Sequence, residues 1–407
     1  VNATAAAGEP ASERVVALAA AAFLVAAPVT GSPGLRVGLL VVAALALGHV
    51  AFHHGRDRLA PAPPAYVSIP LALWAVLATA SAAWSVDSAY TWSELRREIV
   101  YGALAFGVFF FAADAKRMRL WGAALIAGTV VLAAADLVRA LVAPNAVPLN
   151  SGSGRFTTHL VMVAPFLLLL AVDRPAGLGR RPALLTASVA TFFLAALASE
   201  NRIVWAAYFV CVATVGLSLL PSVAPDRRRK ALVAATLLVV AITALFAFSL
   251  VKKLEVYPTA RNAGESLEMD VRPRFWSTAV GAIADRPLAG HGFGRDIIAP
   301  RYRAEFGQGK GSEFASHGHN LFLNAGVSLG AAGVVALTLL LAGLVYAHAR
   351  NLARPATRIA GAIGLALVAG FLAKNMTDDF FNRHNALVFW ALNGLLIGLG
   401  RRTDAAP

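Results

Sequence analysis

The residues best suited to chemistry in this chain are a histidine pair, a few arginines and two adjacent aspartates, set in an otherwise almost wholly apolar sequence. His319 lies in Ser316-His317-Gly318-His319-Asn320, where a long polar stretch (252–318) meets a hydrocarbon-length segment. With an ordinary imidazole pKa of ~6.5, it can act as a neutral base near physiological pH. A positioned base contributes ~10²–10⁴-fold to a rate. For an isolated histidine at such a boundary, a helix cap or a lipid headgroup contact is the commoner role.

Arginines supply the second kind of chemistry. Arg202, in Ser199-Glu200-Asn201-Arg202, falls between two apolar segments. There an arginine costs ~2.5–3.5 kcal/mol on insertion scales and so tends to face a cavity or an anion. Arg272 and Arg274 flank Pro273 in the polar stretch. A guanidinium donates two parallel hydrogen bonds, which suits a diphosphate. The plainer alternative is snorkelling, or ion pairing with Glu200, Glu268 or Asp270. Asp378 and Asp379, near Lys374 and Arg383, can share a proton, hold a metal, orient His319 or meet an acceptor sugar. A solvated turn paired with Lys374 and Arg383 is as reasonable.

The elements that must position these groups are membrane helices. Hydrophobic residues make up 58% of the chain and charged residues 14%, with a mean hydropathy of +0.65, far outside the globular range. Apolar runs at 15–29, 35–52, 67–83 and 231–251 approach the length that crosses ~30 Å of hydrocarbon as a helix. They lack period-2 alternation, which argues against a barrel. The fold expected is an all-α polytopic membrane protein of about twelve spans, near 14–30, 35–52, 66–84, 98–113, 120–142, 158–172, 183–199, 203–220, 231–250, 319–347, 359–376 and 386–400. Three regions follow: spans one to nine (1–251), a long loop with short helices (252–318), and the last three spans (319–407). The first apolar run, after Glu9, Glu13 and Arg14, reads as an uncleaved helix rather than a signal peptide.

Positive charge orients the bundle. Arg56 and Arg58, Lys116 to Arg119, Arg174 to Arg181, Arg227 to Lys230, Arg350 to Arg358, and Arg401 with Arg402 all follow even-numbered spans. By the positive-inside rule those exits and both termini are cytoplasmic, and the long loop faces outward. Spread in this way, the net charge of +14 serves topology, and no nucleic-acid partner is expected. Cys211 alone can form neither an intramolecular disulfide nor a cysteine metal cluster. In the loop, 272–284 has the length of a short amphipathic helix and 290–294 reads as a turn. Gly290-His291-Gly292-Phe293-Gly294 lacks the βαβ context of a phosphate loop, His53-His54 lacks spaced partners for zinc, and Asp136 can pair with Arg139 one turn on.

From His319-Asn320 the chain runs nine residues to Gly330-Ala331-Ala332-Gly333. This pattern resembles the His-[Asn/Ser/Gln]-x9-Gly-x-x-[Gly/Thr/Tyr] signature of bacterial O-antigen ligases. Arg272-Pro273-Arg274-Phe275-Trp276, followed by Pro287-x-x-Gly290-x-Gly292-x-Gly294, is similar to the arginine–tryptophan and proline–glycine stretch of the same superfamily. That superfamily also holds O-antigen polymerases and pilin O-oligosaccharyltransferases. The resemblance covers about sixty residues as motif and most of the chain as architecture.

It implies a glycosyltransferase-C-like enzyme of the bacterial inner membrane with a large periplasmic loop between spans nine and ten and a periplasmic active site. Its donor would be O-antigen on undecaprenyl diphosphate, its acceptor lipid A–core, both reached from among the membrane lipids. His319 would be the base. Arg202 and Arg272, with Arg274 as the neighbouring alternative, would bind the diphosphate, and His317, Asn320, Asp378 and Asp379 would orient the base or meet the acceptor. No Asp-x-Asp motif stands on the outer face, so neither metal nor cofactor is expected. The rivals are a polymerase, a protein O-oligosaccharyltransferase and, more remotely, a lipid or solute transporter.

Overall fold

The computed structural model describes residues 10–143, 145, 147–172, 177–252, 270–307 and 315–405. Among them the chain is helical throughout, apart from one isolated bridge between Val29 and Asn150. The first half comprises α1 (Ala11–Ala26), α2 (Pro33–His53), α3 (Ala65–Ala80), α4 (Ser88–Glu94), a π-helical turn (Leu95–Val100), α5 (Tyr101–Phe111) and α6 (Ala115–Val142). Then come α7 (Ser153–Val163), α8 (Leu168–Ala171), α9 (Pro182–Ala198), α10 (Ile203–Leu219) and α11 (Pro225–Lys252). The second half comprises α12 (Arg272–Asp285), α13 (Ala299–Phe306), α14 (Leu321–Leu352), α15 (Arg358–Asn375) and α16 (Arg383–Ala405).

The expected spans fall on helices, and among the described residues eight helical segments are long and apolar enough to cross a bilayer. The protein is therefore an all-α polytopic membrane protein. Local sequence fixes several helix starts: Pro33 and Pro182 sit in first turns, where their missing N–H costs nothing. Asp114 and Asn320 accept hydrogen bonds from first-turn amides of α6 and α14. The short helix expected over 272–284 is α12, and the turn at 290–294 is present. Asp136 differs from expectation. Instead of pairing with Arg139 it accepts from the amides of Leu149 (2.7 Å) and Asn150 (2.9 Å) and from the Asn150 side chain, because those donors have no helical partner of their own.

Helices α14, α15 and α16, with α5, α7 and α10, form the centre of the bundle. The most hydropathic window of the α7–α8 segment is 72% buried, whereas that of α11 is 6% buried. An apolar helix so little covered faces lipid. Phe371, Phe381, Phe389 and Trp390 interlock between α15 and α16, with Phe371 and Phe389 ring centroids 4.4 Å apart. At the end away from the histidines, Glu13 accepts from Arg58 (3.0 Å) and Arg117 (2.9 Å), tying α1 to α6.

One break in α14 positions the long loop. Gly330 has φ 63° and ψ −158° inside the helix, so the carbonyls of Val327 and Ser328 turn away from the helical ladder. They accept instead from the amides of His291 (2.9 Å) and Gly292 (3.0 Å), while the Ala331 amide donates to the Pro287 carbonyl (2.8 Å). The two glycine motifs thus join backbone to backbone. A Cβ on Gly330 would lie 2.3 Å from the carbonyl carbon of Leu288, and one on Gly290 2.4 Å from that of Ser328. Gly330→Ala is expected to lower stability by about 2–5 kcal/mol, combining left-handed strain with overpacking. Gly107→Ala, where added volume meets nothing within 4 Å, is the matched control. Thermal unfolding in detergent measures both, and equal transitions would contradict the interlock.

Candidate active site

The residues singled out from the sequence converge at one end of the bundle, where α12, α14 and α15 meet the turn at 376–382. Asn320 caps α14 through its Oδ1, and its Nδ2 donates to the Met376 carbonyl at 2.8 Å. It thereby ties the turn to the helix start. His319, just before the cap, has φ 46°, a left-handed conformation that costs a non-glycine residue ~1–3 kcal/mol and is characteristic of functional sites. Its ring stacks on Phe275 (centroids 5.0 Å apart) and on His317 (4.0 Å).

Asp378 sets the electrostatics. Its Oδ1 lies 3.6 Å from His319 Nδ1 and 3.5 Å from Arg272 Nη2. Its Oδ2 accepts from Lys374 Nζ at 2.8 Å and from Asn201 Nδ2 at 3.4 Å. Both Asp378 and Lys374 are buried, which replaces the solvated turn with an interior ion cluster. Burial alone would raise the Asp378 pKa. Lys374, His319 and Arg272 outweigh it and hold the carboxyl well below its usual range.

Arg272 and Arg202 gather on the same side. Arg272 Nη1 pairs with Asp270 Oδ2 at 2.7 Å, and its Nε donates to the Thr377 carbonyl at 2.7 Å. Arg202 Nη2 lies 3.5 Å from the same Asp270 oxygen, so one carboxylate holds both guanidinium groups together. Burial works against the Arg272 charge, but Asp378 and Asp270 prevail and raise its pKa. The expected ion pairing with Asp270 is present; Glu200 pairs with Lys252 (3.4 Å), and Glu268 lies outside the described residues. Arg274 is not brought into the cluster. It is exposed and lies over the Phe306 ring, 4.5 Å from its centroid.

On the other side of the histidines stands a second polar group. His317 Nδ1 is 2.9 Å from Ser316 Oγ and 3.5 Å from Asp296 Oδ1. Burial, then the neighbouring His319 and Arg295, push its pKa well below 6.5, so it is neutral near physiological pH. Arg295 pairs with Asp296 (3.2 Å) and donates to the Asp379 carbonyl (3.0 Å). The Asp379 carboxylate turns away from Asp378 to accept from Asn324 Nδ2 (2.5 Å), and burial raises its pKa. The two aspartates therefore do not act as a pair. Arg295 and Asp379 also line a cleft of about 860 Å³, open mouth included, with Trp74, Glu94, Glu98 and Trp390.

Sequence reasoning gave Lys374 and Asp270 only the role of incidental partners and missed Arg295, Asp296 and Asn324. The i, i+4 spacing of Lys374 and Asp378 was the available signal. Chemically, the site offers an imidazole oriented by an anion beside a pair of guanidinium groups. No group of three or more metal-ligating side chains gathers among the described residues.

The fold and site define a polytopic helical membrane protein with its polar chemistry gathered at one end of the bundle. Residues 187–338 match the family model described as O-antigen ligase. The matched segment contains Arg202, Arg272, both histidines and the Gly330 break, while Lys374 and Asp378 lie beyond it. The match supports the O-antigen ligase superfamily for this chain, as the motifs lead one to expect. Members of that family are glycosyltransferase-like ligases and polymerases. No curated protein matches the chain.

Asp378 also gives the site a pH signature. A depressed carboxylate contributes stability that is complete above its unfolded pKa of ~3.9 and is lost as pH falls through the folded value. Asp379, raised by burial, acts in the opposite sense, so the difference between wild type and Asp378→Asn isolates the first term. The wild-type advantage in melting temperature is expected at pH 7 and should shrink steadily below pH ~4. Parallel profiles would contradict it. Lys374→Met, which leaves the buried carboxylate short of its closest cation, should cost about 3–5 kcal/mol at neutral pH, read from the same unfolding transitions.

Proposed function

We propose that this chain is an O-antigen ligase, transferring a polysaccharide from undecaprenyl diphosphate to a sugar hydroxyl of lipid A–core at the outer face of the bacterial inner membrane. The observation that carries the reading is the placement of His319 against Asp378, beside the Arg202–Asp270–Arg272 cluster. The family match and the charge alternation of the connections support it, the latter by putting the site end outward and both termini in the cytoplasm.

In this reading Asp378 accepts a hydrogen bond from the Nδ1–H of His319, which keeps that proton on Nδ1 and leaves Nε2 as the basic nitrogen. Nε2 takes the proton of the acceptor hydroxyl as that oxygen bonds to the anomeric carbon. The bond from that carbon to the diphosphate oxygen breaks, and its electron pair leaves with undecaprenyl diphosphate. Attack opposite the leaving group inverts the anomeric centre. Asp378 stabilises the imidazolium that forms, and Arg202 and Arg272 stabilise the charge growing on the diphosphate. The phosphate-linked donor already carries its leaving group, so no nucleotide is consumed. Asp270 and Lys374 act as positioning residues, the first for the arginines and the second for Asp378.

The test is transfer by purified protein from lipid-linked O-antigen to lipid A–core, with chelator and without nucleotide. A ladder on lipid A–core is expected. His319→Gln should reduce turnover by ~10²–10⁴-fold, and Arg272→Ala should weaken donor binding. Normal turnover by folded His319→Gln would sink the mechanism. Longer glycan remaining on the undecaprenyl carrier would make the chain a polymerase instead.

A further inference from the structure

A second cationic group lies at the same end of the bundle, apart from the arginines assigned to the donor. Arg36, Arg155 and Arg383 occupy the first turns of α2, α7 and α16. Three chain segments hold these turns together. The Thr30 amide donates to the Leu149 carbonyl at 2.8 Å, and Thr30 Oγ1 donates to the Asn150 carbonyl, joining the turn before α2 to the turn before α7. Ser151 Oγ lies 3.1 Å from His384 Nε2, and Asn385 Nδ2 donates to the Arg155 carbonyl at 3.1 Å, joining the latter to α16. Arg36 is within electrostatic reach of Arg383, Arg155 of Arg383, Arg295 and the Asp296 carboxylate, and His384 of Arg36, Arg155 and Arg383.

What the cluster lacks, among the described residues, is a carboxylate in ion-pair contact with its guanidinium groups. Arg36 is buried and spends its Nε on Ser32 Oγ (2.9 Å) and its Nη2 on the Val29 carbonyl (3.2 Å), neither of which is charged. Arg155 has a buried Nε without a hydrogen-bond partner. Among the described residues none of Arg36, Arg155 and Arg383 forms an ion pair with a carboxylate. The nearby acids are Asp136, held by the amides of the 149–150 turn, Asp296, which pairs with Arg295, accepts from Ser316 and attracts Arg155 from a distance, and Glu98, whose Oε1 accepts from the Arg383 amide (2.6 Å). Like charges gathered at partly desolvated positions repel one another. Three helix N-termini add to the positive potential. An external anion with several acceptor oxygens offsets both.

We propose that Arg36, Arg155 and Arg383, with His384, form a second anion site that takes the phosphate monoester headgroup of a membrane lipid. Guanidinium forks match phosphate oxygens in pairs. Arg36 and Arg155 stand in the first turns of segments long and apolar enough to cross a bilayer, Pro33–His53 and Ser153–Ala171, and Arg383 opens the 23-residue α16, so the arginines lie where apolar helices begin. The site is separate from the Asp270-linked arginines, and its occupancy is measured without transfer, so it stands or falls independently of the ligase reading.

The experiment titrates the delipidated full-length protein in neutral detergent with short-chain phosphatidic acid, with phosphatidylcholine of the same chains and with inorganic phosphate, following binding by calorimetry. Phosphatidic acid should bind, and the double variant Arg155→Ala/Arg383→Ala should lose at least about tenfold in affinity, the scale of one charged hydrogen bond. Unchanged affinity in that variant, or equal binding of phosphatidylcholine, overturns the proposal. Inorganic phosphate binding as tightly as the lipid overturns the lipid assignment and makes the occupant a free phosphate. Arg383→Gln, at an exposed position, replaces the double variant if that fails to fold; it too must weaken phosphatidic acid binding, and equal affinity overturns the proposal.

Discussion

A buried carboxylate organises the site end of this protein. Asp378 is nearly inaccessible, and an ionised group there is tolerable only because Lys374, Arg272, His319 and Asn201 surround it. Those partners come from four separate parts of the chain: α15, the start of α12, the approach to α14 and the turn before α10. Removing the charge from water costs several kcal/mol per ion, and that cost is offset only when all the partners arrive. The same geometry that stabilises the carboxylate therefore assembles the imidazole and the guanidinium groups. In the proposed reaction, stability and chemistry share this one carboxylate.

The second constraint is a backbone one. The break at Gly330 turns two carbonyls of α14 toward the loop, and the loop's amides at His291 and Gly292 complete them. Buried backbone groups must be paired, so the loop has one register against the helix. From that register Arg295 and Asp296 reach the histidines, and Tyr90 receives the Asp296 amide at 3.0 Å. The π-helical turn that follows α4 carries Glu98 into the wall of the adjoining cleft beside Glu94, the last residue of α4. Such turns recur at functional sites because they displace side chains from the helical rows. The site thus has a cationic flank around Asp270 and a mixed flank around Arg295, with the histidine pair between them.

Composition alone established the fold class and most helix positions, because hydrocarbon length and the burial of backbone polar groups leave few options within a bilayer. The His319-Asn320-x9-Gly330 spacing pointed to the segment where the candidate residues gather, and the start of a membrane-length helix near 319 was legible. The division of labour within the site was not legible. Arg272 and Arg274 are two residues apart and chemically equal, yet α12 turns one toward Asp378 and lays the other on Phe306. Asp378 and Asp379 are adjacent and alike, yet one meets cations and the other meets Asn324. Side-chain direction follows from helix phase and from distant partners, and neither is written in a local motif.

By itself, then, the sequence determined that this is a bundle of apolar helices with a histidine, arginines and aspartates at its polar boundary. Hydropathy and charge act locally, residue by residue, and can be read in order. Only the tertiary structure decided that Asp378 rather than Asp379 faces His319, that Asp270 joins Arg202 to Arg272, and that Arg36, Arg155 and Arg383 gather from helices far apart in the chain. Those outcomes depend on which segments pack together, and in a low-dielectric interior it is the partners so assembled that allow a buried charge to exist.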